Sequence, residues 1–348
     1  MFIMDDQHLK QSIEKAIQEL NLDLSGRVVL TEAANGPYCV TPLIAGLAGA
    51  EVYAVGRSTS YGTTSEIFAE LNQKLKLFNL DHVRLSEWLS AEVIHHADII
   101  TNSGHLRPLD QDKLQHVKKG CVVALMYEAW ELRDDDLDLD YCQKQKIPVA
   151  AVNERHPSVG VFEYLGEMAA ELIRRSGLSV ENNTFVLMCN NDFGPYIART
   201  LIKQGARLGV IDTPRNRVQY NGGAVWLTDR LEDLKDDSFK NCQAVIFTAY
   251  PFDQIWISDR AVIPVDQVKK QFPNAVLLRF AGDIDTRALD REGIRYFPQD
   301  VKSGHMGILP SDIGYEPVIR LQAGGLKAAQ AVLENQLKLN NEIICTII

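Results

Sequence analysis

The chain has 348 residues, 46% of them hydrophobic and 24% charged, with a net charge of −10, a mixture that buries large cores and excludes a disordered chain. That length exceeds what one core organises and predicts two domains. The acidic balance, with no dense Lys/Arg cluster, excludes a nucleic-acid groove, and the lack of a run of about eighteen apolar residues excludes a membrane span.

Short apolar, β-rich runs alternate with amphipathic stretches along the whole chain, the pattern of parallel sheets covered by helices. In the first half the runs predict strands at Arg27–Thr31, Glu51–Val55, Ala97–Thr101, Cys121–Met126 and Pro148–Val152. A helix from about Ser158 to Ser176 follows, ended by Gly177. The second half predicts strands at Phe185–Cys189, Leu208–Asp212, Ala224–Leu227, Ala244–Thr248, Ala275–Arg279 and Ile294–Phe297, then a long helix over about Asp312–Leu333. The two series match residue for residue in places. NGPYCVTPLIAGLAGAEVYAVGR (Asn35–Arg57) parallels FGPYIARTLIKQGARLGVID (Phe193–Asp212), with Gly-Pro-Tyr opening a helix each time.

The expected fold class is therefore α/β, with two tandem Rossmann-like doubly wound parallel-sheet domains joined by interdomain helices. Residues 1–157 form the first domain, with the helix at about 312–335 packing back on it; 158–179 form an interdomain helix, and 180–311 a dinucleotide-binding domain. The expected active site is the cleft where the halves face each other. The N-terminus MFIMDDQHLK has no basic segment before a long apolar stretch, so the cytoplasm is the expected location. The six cysteines are scattered without C-x-x-C spacing and read as reduced structural thiols.

In the second half, FVLMC runs into CNNDFG and a helix, the strand, turn and helix setting of a dinucleotide fingerprint. With Gly194 as the third glycine, Cys189 and Asn191 stand at the first two positions. Asp212 ends the next strand, eighteen residues on, where an acidic group holds a ribose hydroxyl and favours NAD over NADP. Asn190, Asn191, Phe193, Gly194 and Asp212, with Thr248 at the end of the fourth strand and Tyr250 after it, are the expected cofactor contacts. In the first half the equivalent position carries Arg57, Ser58 and Tyr61, which suit a 2′-phosphate if NADP docks there.

ADIITNSGHLRPLDQDKLQHV, LDLDYCQKQKIPVAAVNERHPSVGVFEYLGEMAAELI, CQAVIFTAYP, NAVLLRFAGDIDTRAL and SGHMG together span about Ala97 to Leu333. Over that span the chain resembles the D-2-hydroxyacid dehydrogenase superfamily, the formate and glycerate dehydrogenase-like proteins, as a divergent member. The resemblance implies a flavodoxin-like substrate domain, a Rossmann NAD domain and a homodimer, and it places His305 on the family's catalytic histidine. Two departures stand out. The family's catalytic arginine has no counterpart in Phe280-Ala281-Gly282-Asp283, and its glycine-rich carboxylate loop is replaced by Tyr127-Glu128-Ala129-Trp130-Glu131-Leu132-Arg133. A 2-hydroxy acid is thus not implied as the substrate. ADIITNSGH and GCVVALM are also faintly similar to adenosylhomocysteine hydrolases.

The replacement puts Glu128 and Glu131 at a strand's carboxyl end, where open α/β sheets bind ligands. Glu128 suits a general base or a partner for hydroxyl or amino groups, and Tyr127 and Trp130 suit stacking on a ring. Asn153-Glu154-Arg155-His156 follows the next strand; there Glu154 and His156 suit an acid/base pair and Arg155 an anion. His105 and Arg107 lie on a third polar loop of the same edge. No metal-ligand spacing and no nucleophile elbow occurs, so no metal is expected. Three readings remain open: an NAD(P)-dependent oxidoreductase of a small polar metabolite, a lyase or hydrolase using bound NAD, and a non-redox nucleotide- or metabolite-binding protein.

Overall fold

The computed structural model describes residues 5–59, 62–220 and 222–334, and the backbone of 344–347. It divides into two compact units, one ending at Val161 and resuming at Gly314, the other Phe162–Ile313. Unit 1 contains α1 (Asp6–Leu20), β1 (Val28–Glu32), α2 (Val40–Leu47), β2 (Glu51–Val55), α3 (Thr64–Phe78), β3 (Val83–Ser86) and α4 (Ala91–His96). It continues with β4 (Ile99–Thr101), α5 (Gln111–Leu114), β5 (Val122–Ala124), α6 (Leu139–Gln145) and β6 (Val149–Val152). Unit 2 contains α7 (Leu165–Arg175), β7 (Thr184–Cys189), α8 (Gly194–Lys203), β8 (Arg207–Ile211), β9 (Val225–Thr228), β10 (Ala244–Thr248), β11 (Ile255–Ser258) and β12 (Ile263–Pro264). It ends with α9 (Val265–Gln271), β13 (Val276–Ala281), β14 (Asp283–Ile284), α10 (Thr286–Arg291) and β15 (Tyr296–Phe297). The chain then returns to unit 1 with α11 (Glu316–Leu333) and β16 (Ile344–Ile347).

The sheet of unit 1 runs β16-β6-β5-β4-β1-β2-β3, all parallel except β16, which pairs antiparallel with β6. The main sheet of unit 2 runs β15-β13-β10-β7-β8-β9 and is wholly parallel. Without β16, both read 3-2-1-4-5-6 in the order of their own strands, the doubly wound Rossmann order. The chain is thus two tandem Rossmann-like α/β domains. A small parallel sheet, β12-β11-β14, is added in unit 2.

Successive strand residues point to opposite faces, so the apolar runs of unit 1 feed two cores. Val29, Val52, Ile99, Val122 and Ala150 join α1, α2 and α11 on one face. Leu30, Ile100, Val123, Val149 and Ala151 join α4, α5 and α6 on the other. Helix α11 is buried nearly all round because it lies against α1, α2, β5 and β6. Its buried Lys327 donates to Asn21 O at 2.8 Å and so closes the left-handed end of α1. At the entry to α3, Thr63 and Glu66 form a reciprocal capping box.

Two sequence expectations shift. The helix expected from Ser158 begins as a 3-10 turn at Val161–Tyr164 and becomes α-helical only at Leu165, because Gly160 takes a left-handed φ of 63°. The two Gly-Pro-Tyr segments also differ. Gly36 opens a 3-10 turn ahead of α2, whereas Gly194 opens α8 directly.

Helix α7 packs on α8 at closest approach through Gly166, where an added Cβ would lie 2.1 Å from Thr200 Oγ1 and 3.0 Å from Tyr196 O. Gly166→Ala must therefore push the helices apart. It is expected to cost about 1–3 kcal/mol, seen as a lower melting temperature; an unchanged one would contradict this packing.

Candidate functional site

Parallel α/β sheets present ligand-binding groups at their carboxyl edge, where strands give way to loops. In unit 1 the loops after β5 and β6 are tied together by one carboxylate. Glu128 is completely buried. It accepts from the Glu154 backbone N–H at 3.1 Å, from Arg155 Nη1 at 3.1 and 3.3 Å, and from the Trp130 indole N–H. Glu131 reaches back to the Glu128 N–H at 3.3 Å. Three of the expected partners, Glu154, Arg155 and Trp130, are thus gathered on a fourth, Glu128.

The side chains of Glu131 and Glu154 hydrogen-bond to each other. Burial raises both, and the neighbouring Glu128 carboxylate raises them further; Glu131 is pushed up to about 7, and Glu154 well above its ordinary range. Two buried carboxyls in contact resist double ionisation, so the pair keeps a proton to higher pH than a free carboxyl does, with Glu131 the half-buried member. Arg155 and Arg133 oppose these shifts only in part. His156 does something else: its Nδ1 accepts from the Ser158 N–H at 3.2 Å and braces the turn.

Tyr127 and Arg107 belong to a second network that ties β4 to β5. Asn102 Nδ2 donates to the Tyr127 hydroxyl at 2.7 Å, and that hydroxyl donates to Asp136 at 3.0 Å. Arg107 lies 5.1 Å from the Tyr127 ring centre, donates to Asn102 O at 2.7 Å and sits 3.6 Å from Asp136. His105 takes a third position. Its backbone N–H donates at 3.1 Å to Glu32, a buried carboxyl at the end of β1 whose pKa burial raises. The His105 Nδ1 atom is buried with no hydrogen-bond partner. Arg57 donates to Gly104 O at 3.1 Å, and Ser58 Oγ accepts from the Thr64 N–H at 2.9 Å, so both hold local backbone; Tyr61 lies outside the described residues.

In unit 2 the turn between β7 and α8 is internally satisfied. Asn191 donates to Thr248 Oγ1 at 3.1 Å and accepts from the Phe193 N–H at 3.0 Å. Asn190 exchanges two bonds with the Tyr250 backbone, at 2.8 and 3.2 Å. The Asn191 N–H donates to the Cys189 sulfur at 3.4 Å, and Pro195 has no N–H to give. The Phe193 ring packs edge-on against Phe162 and Phe280. Asp212 is fully buried, and its carboxylate accepts from Tyr220 Oη at 2.5 Å, Thr213 N at 2.6 Å and Asn216 Nδ2 at 3.1 Å. Burial raises its pKa despite these donors.

A dinucleotide needs open N–H groups at the helix start, a bare glycine under the pyrophosphate and a free carboxylate for the ribose. Here the Phe193 N–H is engaged by Asn191 Oδ1. A Cβ on Gly194 would fall 1.9 Å from the Tyr220 hydroxyl oxygen, and Asp212 is saturated. The residues of this turn do not fit an NAD or NADP molecule as they stand.

His305 lies in the segment 301–305, which the buried pair Arg279–Asp283 secures. Arg279 donates to the carbonyls of Val301, Lys302 and His305, and Asp283 accepts from the Gly304 N–H at 3.1 Å and from the Ser303 hydroxyl. The His305 ring bonds Ser303 O at 2.9 Å through Nδ1. Sequence reasoning singled out neither Asn216 nor Tyr220, which sit in a 3-10 segment and its end, without periodic signal. Nor did sequence reasoning single out Glu32, which ends β1. Among the described residues no group of three or more His, Cys, Asp or Glu is placed to hold a metal, and no helix is long and apolar enough to cross a membrane.

No protein-family model matches the sequence, and no curated protein matches it. Among solved structures, it is similar to the A chain of dipicolinate synthase from Bacillus subtilis, at 15% identity over 91% of this chain and 99% of that one, with a TM-score of 0.57. The corresponding dipicolinate synthase chain from Bacillus halodurans matches at 13% identity over 91% and 98%, with a TM-score of 0.55. A D-isomer specific 2-hydroxyacid dehydrogenase from Lactobacillus delbrueckii ssp. bulgaricus, in its NAD-complexed form, matches at 14% identity over 92% and 99%, with a TM-score of 0.44. At such identities the shared property is architecture: the chain has the two-unit Rossmann-like fold of these dipicolinate synthase chains.

Proposed function

We propose that this chain binds a small polar metabolite bearing hydroxyl or amino groups at the carboxyl edge of the unit 1 sheet, and moves a proton on it through Glu131. The observation that carries this reading is the Glu131–Glu154 pair, a shared proton beside a fully buried carboxylate, with Glu131 half-buried and shifted to about 7. An acid–base group works best with a pKa near the ambient pH, and strongly shifted groups cluster at functional sites. Glu128 positions the group by fixing Trp130, Arg155 and the Glu154 backbone.

An NAD(P)-dependent oxidoreductase is the second reading. Its support is the Rossmann-like fold; the Tyr220 hydroxyl, seated on Asp212 and over Gly194, weighs against a dinucleotide in unit 2.

The sign of the pH dependence follows from the raised values. A carboxyl whose folded pKa lies above its unfolded one contributes stability that is complete below the ordinary carboxyl range and lost as pH rises through the folded pKa. Stability is therefore expected to fall from about 4.5 to about 7 as Glu131 ionises, and Glu131→Gln is expected to flatten that slope. Carboxyl carbon NMR of the wild type is expected to show a glutamate titrating near neutrality that disappears in Glu131→Gln. A spectrum with every carboxyl titrating in the ordinary range would sink the proposal.

A further inference from the structure

The space that a dinucleotide takes in a Rossmann unit lies between the glycine that opens the first helix and the acid that ends the second strand. In unit 2 one hydroxyl touches both. Tyr220 Oη lies 2.5 Å from Asp212 Oδ2, and it is the atom nearest to where a Gly194 Cβ would be, at 1.9 Å. Asn216 completes the filling, with Nδ2 donating at 3.0 Å to Asn191 O in the turn and at 3.1 and 3.4 Å to the two Asp212 oxygens. Both residues come from Pro214–Gln219 and the residue that ends it. The ring is packed: Tyr220 is 8% exposed and lies against Trp226, over which Arg217 is placed.

We infer that the 214–220 segment is a built-in occupant of the nucleotide cradle, with the Tyr220 phenol in place of a ribose hydroxyl on Asp212, and that it closes unit 2 to dinucleotides. This inference does not rest on the acid–base reading of unit 1, and either can fail alone. The cradle beneath remains that of an adenosine ribose acceptor: Asp212 keeps its position at the strand end, and Gly194 keeps its missing side chain. Removing the phenol vacates the ground between them.

The test is calorimetric titration of the full chain with NAD and with ADP-ribose. Wild type is expected to show no saturable binding up to about 1 mM, while Tyr220→Ala gains at least about tenfold in affinity and Asp212→Asn in that background removes the gain. Saturable wild-type binding that Asp212→Asn weakens would overturn the inference, as would a folded Tyr220→Ala with no gain. If Tyr220→Ala does not fold, a ligand-free cycle decides. Gly194→Ala is expected to lower the melting temperature by about 5 °C or more, and Tyr220→Phe in the same chain to recover a substantial part, because the added methyl meets the hydroxyl oxygen first. Absence of recovery would show that the hydroxyl does not fill that ground.

Discussion

Glu128→Ala is expected to destabilise unit 1 by about 3–5 kcal/mol, the cost typical of removing one partner from a buried ion pair. The alanine leaves the Trp130 indole N–H and the Glu154 backbone N–H without their acceptor, and frees the Arg155 guanidinium from its carboxylate. Buried donors left unmade carry most of that cost. The drop is discounted toward the lower end because the Arg155 side chain is 37% exposed and regains water. Glu128→Gln is the informative control: it loses the charge but keeps one acceptor oxygen, for either the Glu154 N–H on Oε1 or the Trp130 N–H on Oε2, so its loss should be smaller than that of alanine. Urea denaturation followed by intrinsic fluorescence measures both. Equal losses for the two variants would mean that the charge, not the acceptor geometry, holds the β5 and β6 loops together.

Asp283→Ala is the second large effect. Asp283 and Arg279 are each about 5% exposed, and Arg279 Nε already lacks a partner. Removing the carboxylate strands a guanidinium in the interior, again about 3–5 kcal/mol. It also releases the Gly304 N–H and the Ser303 hydroxyl, which fix the backbone around His305. The prediction is therefore twofold: a lower melting temperature, and faster amide exchange across residues 301–305. The double variant Arg279→Met/Asp283→Leu removes both charges and should recover much of the stability, as replacing a whole buried pair often does. A double variant no more stable than Asp283→Ala would refute the stranded-charge account. Persistent slow exchange at 301–305 in Asp283→Ala would show that the loop is held by other contacts.

The architecture was legible because it depends on period and sequence alternation. Buried parallel strands read as short apolar runs, and Glu51–Val55 and Ala244–Thr248 coincide with β2 and β10 to the residue. The Gly-Pro-Tyr repeat pointed to duplication, and both units share one strand order. Weakly patterned elements escaped: β3 (VRLS) alternates too briefly, and β11, β12 and β14 are two to four residues long. In the candidate site, position was more legible than role. Glu128, Trp130, Glu154 and Arg155 share an edge because loops after adjacent parallel strands must. Glu131 rather than His156 pairs with Glu154 because the 128–131 capping turn carries its carboxyl back over the cluster.

What the sequence determined by itself is therefore the number of units, their class, the strands' direction and the edge on which polar side chains collect. All of these follow from hydrophobic period and chain connectivity. Only the tertiary structure decided which of those polar groups are already engaged. Asp212 reads as a ribose acceptor until Tyr220, eight residues further on, places its hydroxyl on it, and Glu131 reads only as an acid at the ligand-binding edge until Glu154 meets it across two loops. Such pairings depend on loop backbone and on burial, which set hydrogen-bond partners and pKa values together and leave no periodic trace in the chain.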